Sequence, residues 1–247
     1  MVQEKIVIVL ILSISLILWF KKNRIKGYLG EKKTALYLSL LPKSKYTVLN
    51  NLVLKNKYGT TQIDHLVISD YGIFVIETKN YKGRIYGSEH GQYWKQVLFK
   101  YKNELYNPIL QNKAHINAVK NLLRDMPHLY YISIIVFSSK ASLYLNCSTI
   151  VTFQHLLRQQ IKRHRYVTIN PEEKREILER IKTNNISSTF NKREHVKSIR
   201  KKDQNSRLAI EQNRCPRCKN RLVLKNGKHG QFLGCASFPN CSFSKNV

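Results

Sequence analysis

Acidic residues are scarce in this chain: 15 Asp and Glu stand against 43 Lys and Arg in 247 residues, a formal net charge of +28. That deficit leaves a strongly positive field and points to a polyanionic partner, nucleic acid first and anionic lipid second. Cysteine is also too scarce and too clustered for a disulfide framework. Of five cysteines, four (Cys215, Cys218, Cys235 and Cys241) crowd the C-terminus and Cys147 stands alone, so nothing argues for an oxidising compartment. No internal repeat is visible. After the apolar run Ile6–Phe20 the sequence KKNRIKGYLG offers no small-residue cleavage site, which counts against a removable signal peptide.

What is present at the N-terminus is the run IVIVLILSISLILWF, free of charge from Ile6 to Phe20. It is short for a hydrocarbon core of about 30 Å, but Val2, Gln3 and snorkelling Lys21 and Lys22 extend its reach. Trp19 and Phe20 stand where interfacial aromatics belong, and Lys21, Lys22, Arg24 and Lys26 outweigh Lys5. The expectation is a single-pass membrane anchor over residues 1–26 with the C-terminal bulk cytoplasmic. A buried core helix is the competing reading.

Beyond the anchor, Gly27 to Leu41 has helical spacing and stops at Pro42. Tyr46 to Leu54 reads as a strand, and two apolar runs joined by Ser69-Asp70-Tyr71-Gly72 read as an adjacent pair. Lys82–Tyr86 and Tyr93–Phe99 suggest further short strands or a hairpin. After Asn107-Pro108 an amphipathic helix runs to about Arg124, Tyr130–Ser138 is a central apolar strand, and Thr149–Phe153 is another. The expected organisation is an α/β domain over 27–166, a charged helix and polar linker over 167–213, and a small C-terminal module over 214–247.

The strand pair carries the chemistry. Asp64 opens its first strand, and Glu77 and Lys79 lie near the end of the second, sharing a face because strand side chains alternate. Two carboxylates and an ammonium meeting at one point make a hard-cation site with a positive group beside it. That suits metal-assisted cleavage of a phosphodiester.

Asp64 followed by Glu77-Thr78-Lys79 matches the D…(D/E)xK signature of the PD-(D/E)XK nuclease superfamily, with Ile63 where proline often stands. With Gly27-Tyr28-Leu29-Gly30-Glu31, Gln62-Ile63-Asp64-His65, Asn107-Pro108-Ile109-Leu110-Gln111 and His115, residues 27–155 resemble the NERD (nuclease-related domain) family. The resemblance implies a restriction-endonuclease-like mixed sheet flanked by helices. It implies Mg²⁺ (or Mn²⁺) on Asp64 and Glu77, with Lys79 activating water or stabilising charge on phosphorus. Glu31 would be a further carboxylate acting through water, and Gln111 would contact the site or the DNA backbone. Thr78 is expected in the core, and His65 and His115 as structural partners.

At the C-terminus, Cys215-Pro216-Arg217-Cys218 and Cys235-Ala236-Ser237-Phe238-Pro239-Asn240-Cys241 offer four soft thiolates. Such a set favours tetrahedral Zn²⁺ in a closed structural site, and a module this small needs the metal to fold. CPRC…GKHGQFLGCASFPNC also resembles the C-terminal zinc fingers of type IA DNA topoisomerases, with Lys219 for the usual glycine, Ala236 for serine and Phe238 for tyrosine. The resemblance implies single-stranded DNA binding, with Phe232 and Phe238 stacking on bases and Arg217, Lys225 and Lys228 meeting phosphates. Both aromatics could instead form the finger's core.

Three functions compete. The first is a membrane-anchored, metal-dependent nuclease with a zinc ribbon holding the strand. The second is a non-catalytic protein tethering DNA at the membrane, and the third a basic scaffold on anionic lipid. Acidic groups inside a basic groove favour the first, because they repel phosphate unless a cation lies between.

Overall fold

The computed structural model describes residues 27–56, 59–189, 203–227 and 230–246. The apolar run 6–20 and its basic flank, read above as a membrane anchor, lie outside these residues. Among the described residues no helix is long and apolar enough to cross a membrane. The chain divides into two compact units, residues 1–189 and 190–247.

In the first unit, helix α1 (27–39) precedes strands β1 (Tyr46–Asn56), β2 (Gly59–Ser69) and β3 (Gly72–Lys79). Then come β4 (Gly83–Ser88), β5 (Tyr93–Leu98), β6 (Tyr101–Tyr106) and α2 (Pro108–Leu122). The unit continues through β7 (Tyr131–Phe137), β8 (Ala141–Asn146) and β9 (Ile150–Phe153), a 3-10 turn, α3 (Leu157–Lys162) and α4 (Pro171–Asn184). A five-stranded sheet runs β1-β2-β3-β7-β9, and a four-stranded sheet runs β6-β5-β4-β8. The larger sheet is mixed: β1, β2 and β3 are antiparallel neighbours, whereas β7 is parallel to both β3 and β9. This is the expected α/β arrangement of a mixed sheet between helices, and the Tyr130–Ser138 run forms an interior strand, β7, between β3 and β9.

Each face of the large sheet buries its own layer. Leu66, Ile68, Ile73 and Val75 pack with Val119 of α2, Leu123 at its C-cap, and Ile177 and Ile181 of α4. On the reverse, Val67, Phe74, Ile76, Ile134 and Val136 pack with Leu38 of α1 and Leu157 and Ile161 of α3. A third cluster of Ile85, Trp94, Ile109, Ile135 and Phe137 joins the small sheet to the end of the large one. The β2–β3 turn closes as its residues suggest: Ser69 Oγ donates to Gly72 O at 2.9 Å and accepts from Tyr71 N at 3.1 Å, and Gly72 takes a φ of 128°. Only glycine enters that region without strain.

Two expectations need correcting. Asp64 does not open its strand, because the polar stretch Gly59–Gln62 already pairs with β1. Residues 203–211 form a helix, α5, where polar linker was expected. The expected charged helix is α4, which Asn170 caps with a full capping box and whose Ile177 and Ile181 complete the core. After α4 the chain returns to the sheet: Asn185 Oδ1 accepts from Val53 N at 3.0 Å and Ile186 N donates to Val53 O at 3.0 Å, along the outer edge of β1.

The second unit holds α5 and the antiparallel strands β10 (Leu222–Gly227), β11 (Gly230–Cys235) and β12 (Ser244–Asn246). Its core is small: Cys215, Leu222 and Cys235 with Ile210, Cys241 and Phe243.

Candidate active site and zinc module

Asp64 sits where two strands change face. Ile63 and Leu66 both reach the α2–α4 core layer although three residues apart, as do Leu52 and Leu54 on β1, while Val48 joins the opposite layer. The step is made opposite Asp64, at Asn51, whose φ is 54°. Pairing between β2 and β3 ends at His65↔Ile76. Past that point Thr78 N donates to Asp64 Oδ2 at 2.8 Å, so the carboxylate replaces the missing strand acceptor. Beside it, His65 Nδ1 lies 2.7 Å from Asn50 Oδ1, and burial pulls the imidazole pKa down to about 4.

Glu77 and Lys79 point under the N-terminal half of α2. Lys79 Nζ donates to Glu77 Oε1 at 2.7 Å and to Gln111 Oε1 at 2.9 Å, and Gln111 Nε2 donates to Glu77 Oε1 at 2.8 Å. His115 Nε2 lies 3.1 Å from Glu77 Oε2, and its Nδ1 lies 2.7 Å from Thr61 Oγ1. A carboxylate only accepts, so Nε2 carries the proton shared with Glu77. The helix is aimed by Asn107, which caps it by accepting from Ile109 N at 2.9 Å. Asn107 also donates to Ser88 O, Glu89 O and Gly91 O in the β4–β5 turn. Asn112 holds α2 to β3 through Val75 O at 2.8 Å. Thr78 is buried and borders the same cleft as Lys79.

Helix α1 closes the site from the other side. A Cβ on Gly30 would stand 2.7 Å from Asn80 Cβ, so the helix backbone can approach the end of β3 only with glycine there. Gln154 Nε2 locks the contact by donating to Gly30 O at 2.9 Å and Thr34 Oγ1 at 3.1 Å. Glu31 is thereby near enough for its charge to act on Asp64.

These neighbours push the two carboxylates apart. Burial first, then the charges of Glu77 and Glu31, raise Asp64 well above the ordinary carboxylate range, against the Thr78 amide and Lys79. For Glu77 burial is the largest influence and acts upward, but Lys79 and His115 outweigh it and hold the group below its ordinary value. Burial likewise acts to lower Lys79, and Glu77 overrides it, so the ammonium is kept charged. Hard oxygens of Asp64 and Glu77, one of them reluctant to ionise beside two other carboxylates, fit a site that a divalent cation would relieve. Glu31, Asp64 and Glu77 do not converge as a set of three, since among the described residues only the cysteines bring three or more such ligand atoms together. Next to Lys79, a cleft of about 620 Å³ is lined by Asn80, Lys82, Gln96, Asn103 and Lys140.

In the second unit the Sγ atoms of Cys215, Cys218, Cys235 and Cys241 all lie within 4.8 Å of one another. Tetrahedral ligation with Zn–S bonds of about 2.3 Å requires sulfurs about 3.8 Å apart. Cys215 and Cys241 stand 3.7 Å apart and Cys218 and Cys235 3.3 Å, so the set fits structural Zn²⁺. Lys219, where glycine is usual, takes a φ of 67° in the turn after Cys218, which explains the usual residue. Phe238 is exposed with Lys225 Nζ 5.3 Å from its ring centre. Phe232 is half-buried across Gly227 and Gly234, close to where a Cβ on either would stand. Arg217 lies over Phe243 at 5.9 Å, and Lys228 is outside the described residues.

Two residues around Glu77 carry more than the sequence reading assigned. His115 is the buried second partner of Glu77, detectable because it follows Gln111 by one helical turn. Thr61 and the Thr78 amide leave no sequence signal.

Comparison with known proteins identifies the same two modules. The nuclease-related domain family matches residues 26–138, and the topoisomerase DNA binding C4 zinc finger matches residues 212–247. An uncharacterized protein of Bacillus anthracis is 35% identical over 207 residues, covering 82% of this chain and 97% of that protein. The finger alone is similar to part of the uncharacterized protein YrdD of Escherichia coli, 52% identical over 29 residues, 12% of this chain and 16% of that protein. It is also similar to part of DNA topoisomerase 1 of Mycoplasmoides gallisepticum, 47% identical over 34 residues, 14% of this chain and 5% of the enzyme. No solved structure matches.

Proposed function

The chain belongs to the nuclease-related domain family, and from that premise we propose that it is a metal-dependent nuclease hydrolysing DNA phosphodiester bonds, with its zinc ribbon holding single-stranded DNA. The observation that carries the reading is the convergence of Lys79, Gln111 and His115 on Glu77 beside Asp64. Bound Mg²⁺ or Mn²⁺ would supply Lewis-acid polarisation of the phosphate and a more acidic water. Asp64 and Glu77 would hold it, with Glu31 reaching it through water. Lys79, kept protonated by Glu77, stabilises negative charge growing on the phosphoryl oxygens; it cannot serve as the base in that state. Gln111 fixes the Lys79 ammonium and leaves one of its three protons free for the scissile group.

The test is incubation of the full chain in detergent with labelled single- and double-stranded DNA, with Mg²⁺ or chelator. Cleavage by the parent and none by Asp64→Ala supports the reading; equal cleavage by both would falsify it. One observation favours the alternative, a non-catalytic DNA tether: both Glu77 oxygens are already engaged within the protein. Isothermal titration with Mn²⁺ separates the two, since a tether needs no cation between Asp64 and Glu77.

We also infer that residues 1–26 anchor the protein in a membrane with its bulk cytoplasmic. Besides the apolar run, the α1–α3 side supports this: Leu29 and Leu36 on α1 and Leu40 just after it are exposed, and Leu40 borders a cavity of about 530 Å³ lined by Arg158, Lys162, Arg163 and Arg165. Apolar and basic groups presented together suit an anionic bilayer surface. Retention in the membrane fraction after alkaline carbonate extraction is expected; release of the full chain would remove the anchor.

A further inference from the structure

The small sheet has one face turned to the core and one to solvent. Ile85, Trp94 and Gln96 are buried, while the alternate residues Arg84, Tyr86, Tyr93 and Lys95 are exposed. Strand register then gathers the exposed aromatics. Tyr86 pairs with Tyr144 on β8 and with Lys95 on β5, and Tyr93 pairs with Tyr106 on β6. The Tyr86 and Tyr144 rings stack 4.9 Å apart at 15°, and Tyr93 and Tyr106 meet edge to face at 6.2 Å. Tyr93, Tyr106 and Tyr144 each keep half or more of their surface exposed. Cations interleave with them: Arg84 and Lys95 on β4 and β5, and Lys102 on β6 opposite Val97. Glu104, opposite Lys95, is the acidic residue of this face among the described residues of these four strands.

We propose that this outer face binds single-stranded nucleic acid, with Tyr86, Tyr144, Tyr93 and Tyr106 stacking on bases and Arg84, Lys95 and Lys102 meeting phosphates. Flat rings on an open sheet stack on any base, provided the base is free of a duplex. A paired helix hides its base faces, so it would gain only the phosphate contacts. An apolar protein partner is disfavoured by the cations between the rings. The cleft that holds Lys79 is lined by Gln96, Leu98 and Asn103 of the sheet's inner face and by Lys82 and Lys140, which immediately precede β4 and β8, so a strand leaving the outer face would turn round that end of the sheet to reach it. The inference thus deepens the nuclease reading by naming an unpaired strand as substrate. As a binding claim it stands without cleavage.

The test is fluorescence anisotropy of the full chain in detergent and chelator, with a labelled oligothymidylate and a labelled duplex. The Phe238→Ala background lowers the zinc finger's contribution. Tyr86→Ser/Tyr144→Ser is expected to weaken single-strand binding about tenfold to a hundredfold, to leave duplex binding unchanged, and to be rescued by Tyr86→Phe/Tyr144→Phe. Unchanged single-strand affinity overturns the proposal. So does equal loss on both probes. If the serine variant does not fold, photocrosslinking of the parent to a 4-thiothymidine oligonucleotide decides. Adducts on Tyr86, Tyr93, Tyr106 or Tyr144 support the platform, and adducts confined to 214–247 overturn it. Tyrosine-dependent binding with no cleavage under any metal would sink the nuclease reading alone.

Discussion

The Asp64 carboxylate accepts the Thr78 amide at 2.8 Å, just where β2 ceases to pair with β3. The residue that would hold a cation therefore also closes the gap between two central strands. Charge and hydrogen bonding at Asp64 can be separated experimentally.

Asp64→Asn keeps an acceptor for Thr78 and removes the charge. Cleavage should fall about a hundredfold or more, while the thermal midpoint holds or rises, because a buried carboxyl crowded by Glu77 and Glu31 is gone. Gel assays beside a thermal melt check both halves; a large loss of stability would show the charge itself to be structural.

Lys79→Met leaves Glu77 buried without its cation. Breaking a pair this enclosed should cost about 3 kcal/mol of stability, and the Glu77 carboxyl should move upward in pKa because Lys79 is the strongest influence holding it down. Urea denaturation measures the first effect. Cleavage should be lost as well, and a variant that melts normally would mean that Gln111 and His115 suffice.

Gly30→Ala forces a Cβ to within 2.7 Å of Asn80 Cβ, so α1 must shift. A destabilisation of about 1–3 kcal/mol is expected, with a drop in cleavage as Glu31 leaves its place near Asp64. Asn80→Gly, which removes the obstructing side chain, should restore much of both. Failure of that rescue would detach Glu31 from the site.

Glu89 links the β4–β5 turn to the β8–β9 connection by accepting from Thr149 Oγ1, Thr149 N and Ser148 N at 2.6, 3.1 and 2.9 Å. Burial acts to raise its pKa, but these bonds outweigh it and hold the folded value below the ordinary 4.5. A carboxyl depressed on folding contributes stability above its unfolded pKa and loses it as pH falls through the folded one. Glu89→Gln should therefore cost about 1 kcal/mol at neutral pH, allowing for solvent screening, and flatten the stability profile below about pH 4.5. Parallel acid limbs for the two proteins would refute the linkage.

Cys218→Ser should abolish zinc uptake. With so small a core of its own, the second unit should lose amide protection over 203–246, whereas 27–189 should melt unchanged. Zinc content by colorimetric release and hydrogen exchange by mass spectrometry report the two outcomes.

Much of this arrangement is legible in the sequence, and the rest hides for identifiable reasons. The β2–β3 pair, α2 and the cysteine quartet announce themselves through local spacing. Asp64 is expected at a strand start because Gly59–Gln62 carries no apolar alternation, and only pairing with β1 makes it strand. The strand β6 is almost wholly exposed, so it has no buried face to signal it. Likewise α4 reads as an independent charged helix since its core contact comes down to Ile177 and Ile181. Around Glu77, Gln111 is found by resemblance, while the Thr61–His115 link joins residues 54 positions apart and leaves no periodic trace.

The return of the chain after α4 along β1 has a bearing on how this protein behaves in a crowd. Asn185 and Ile186 occupy the hydrogen-bonding groups of Val53 that an outer strand otherwise offers to any passing chain. Highly charged proteins accumulate along a shared polymer of opposite sign, where copies meet at concentrations far above the bulk. Covering Val53 interrupts the run of free donors and acceptors that such neighbours would need to template one another into fibrils.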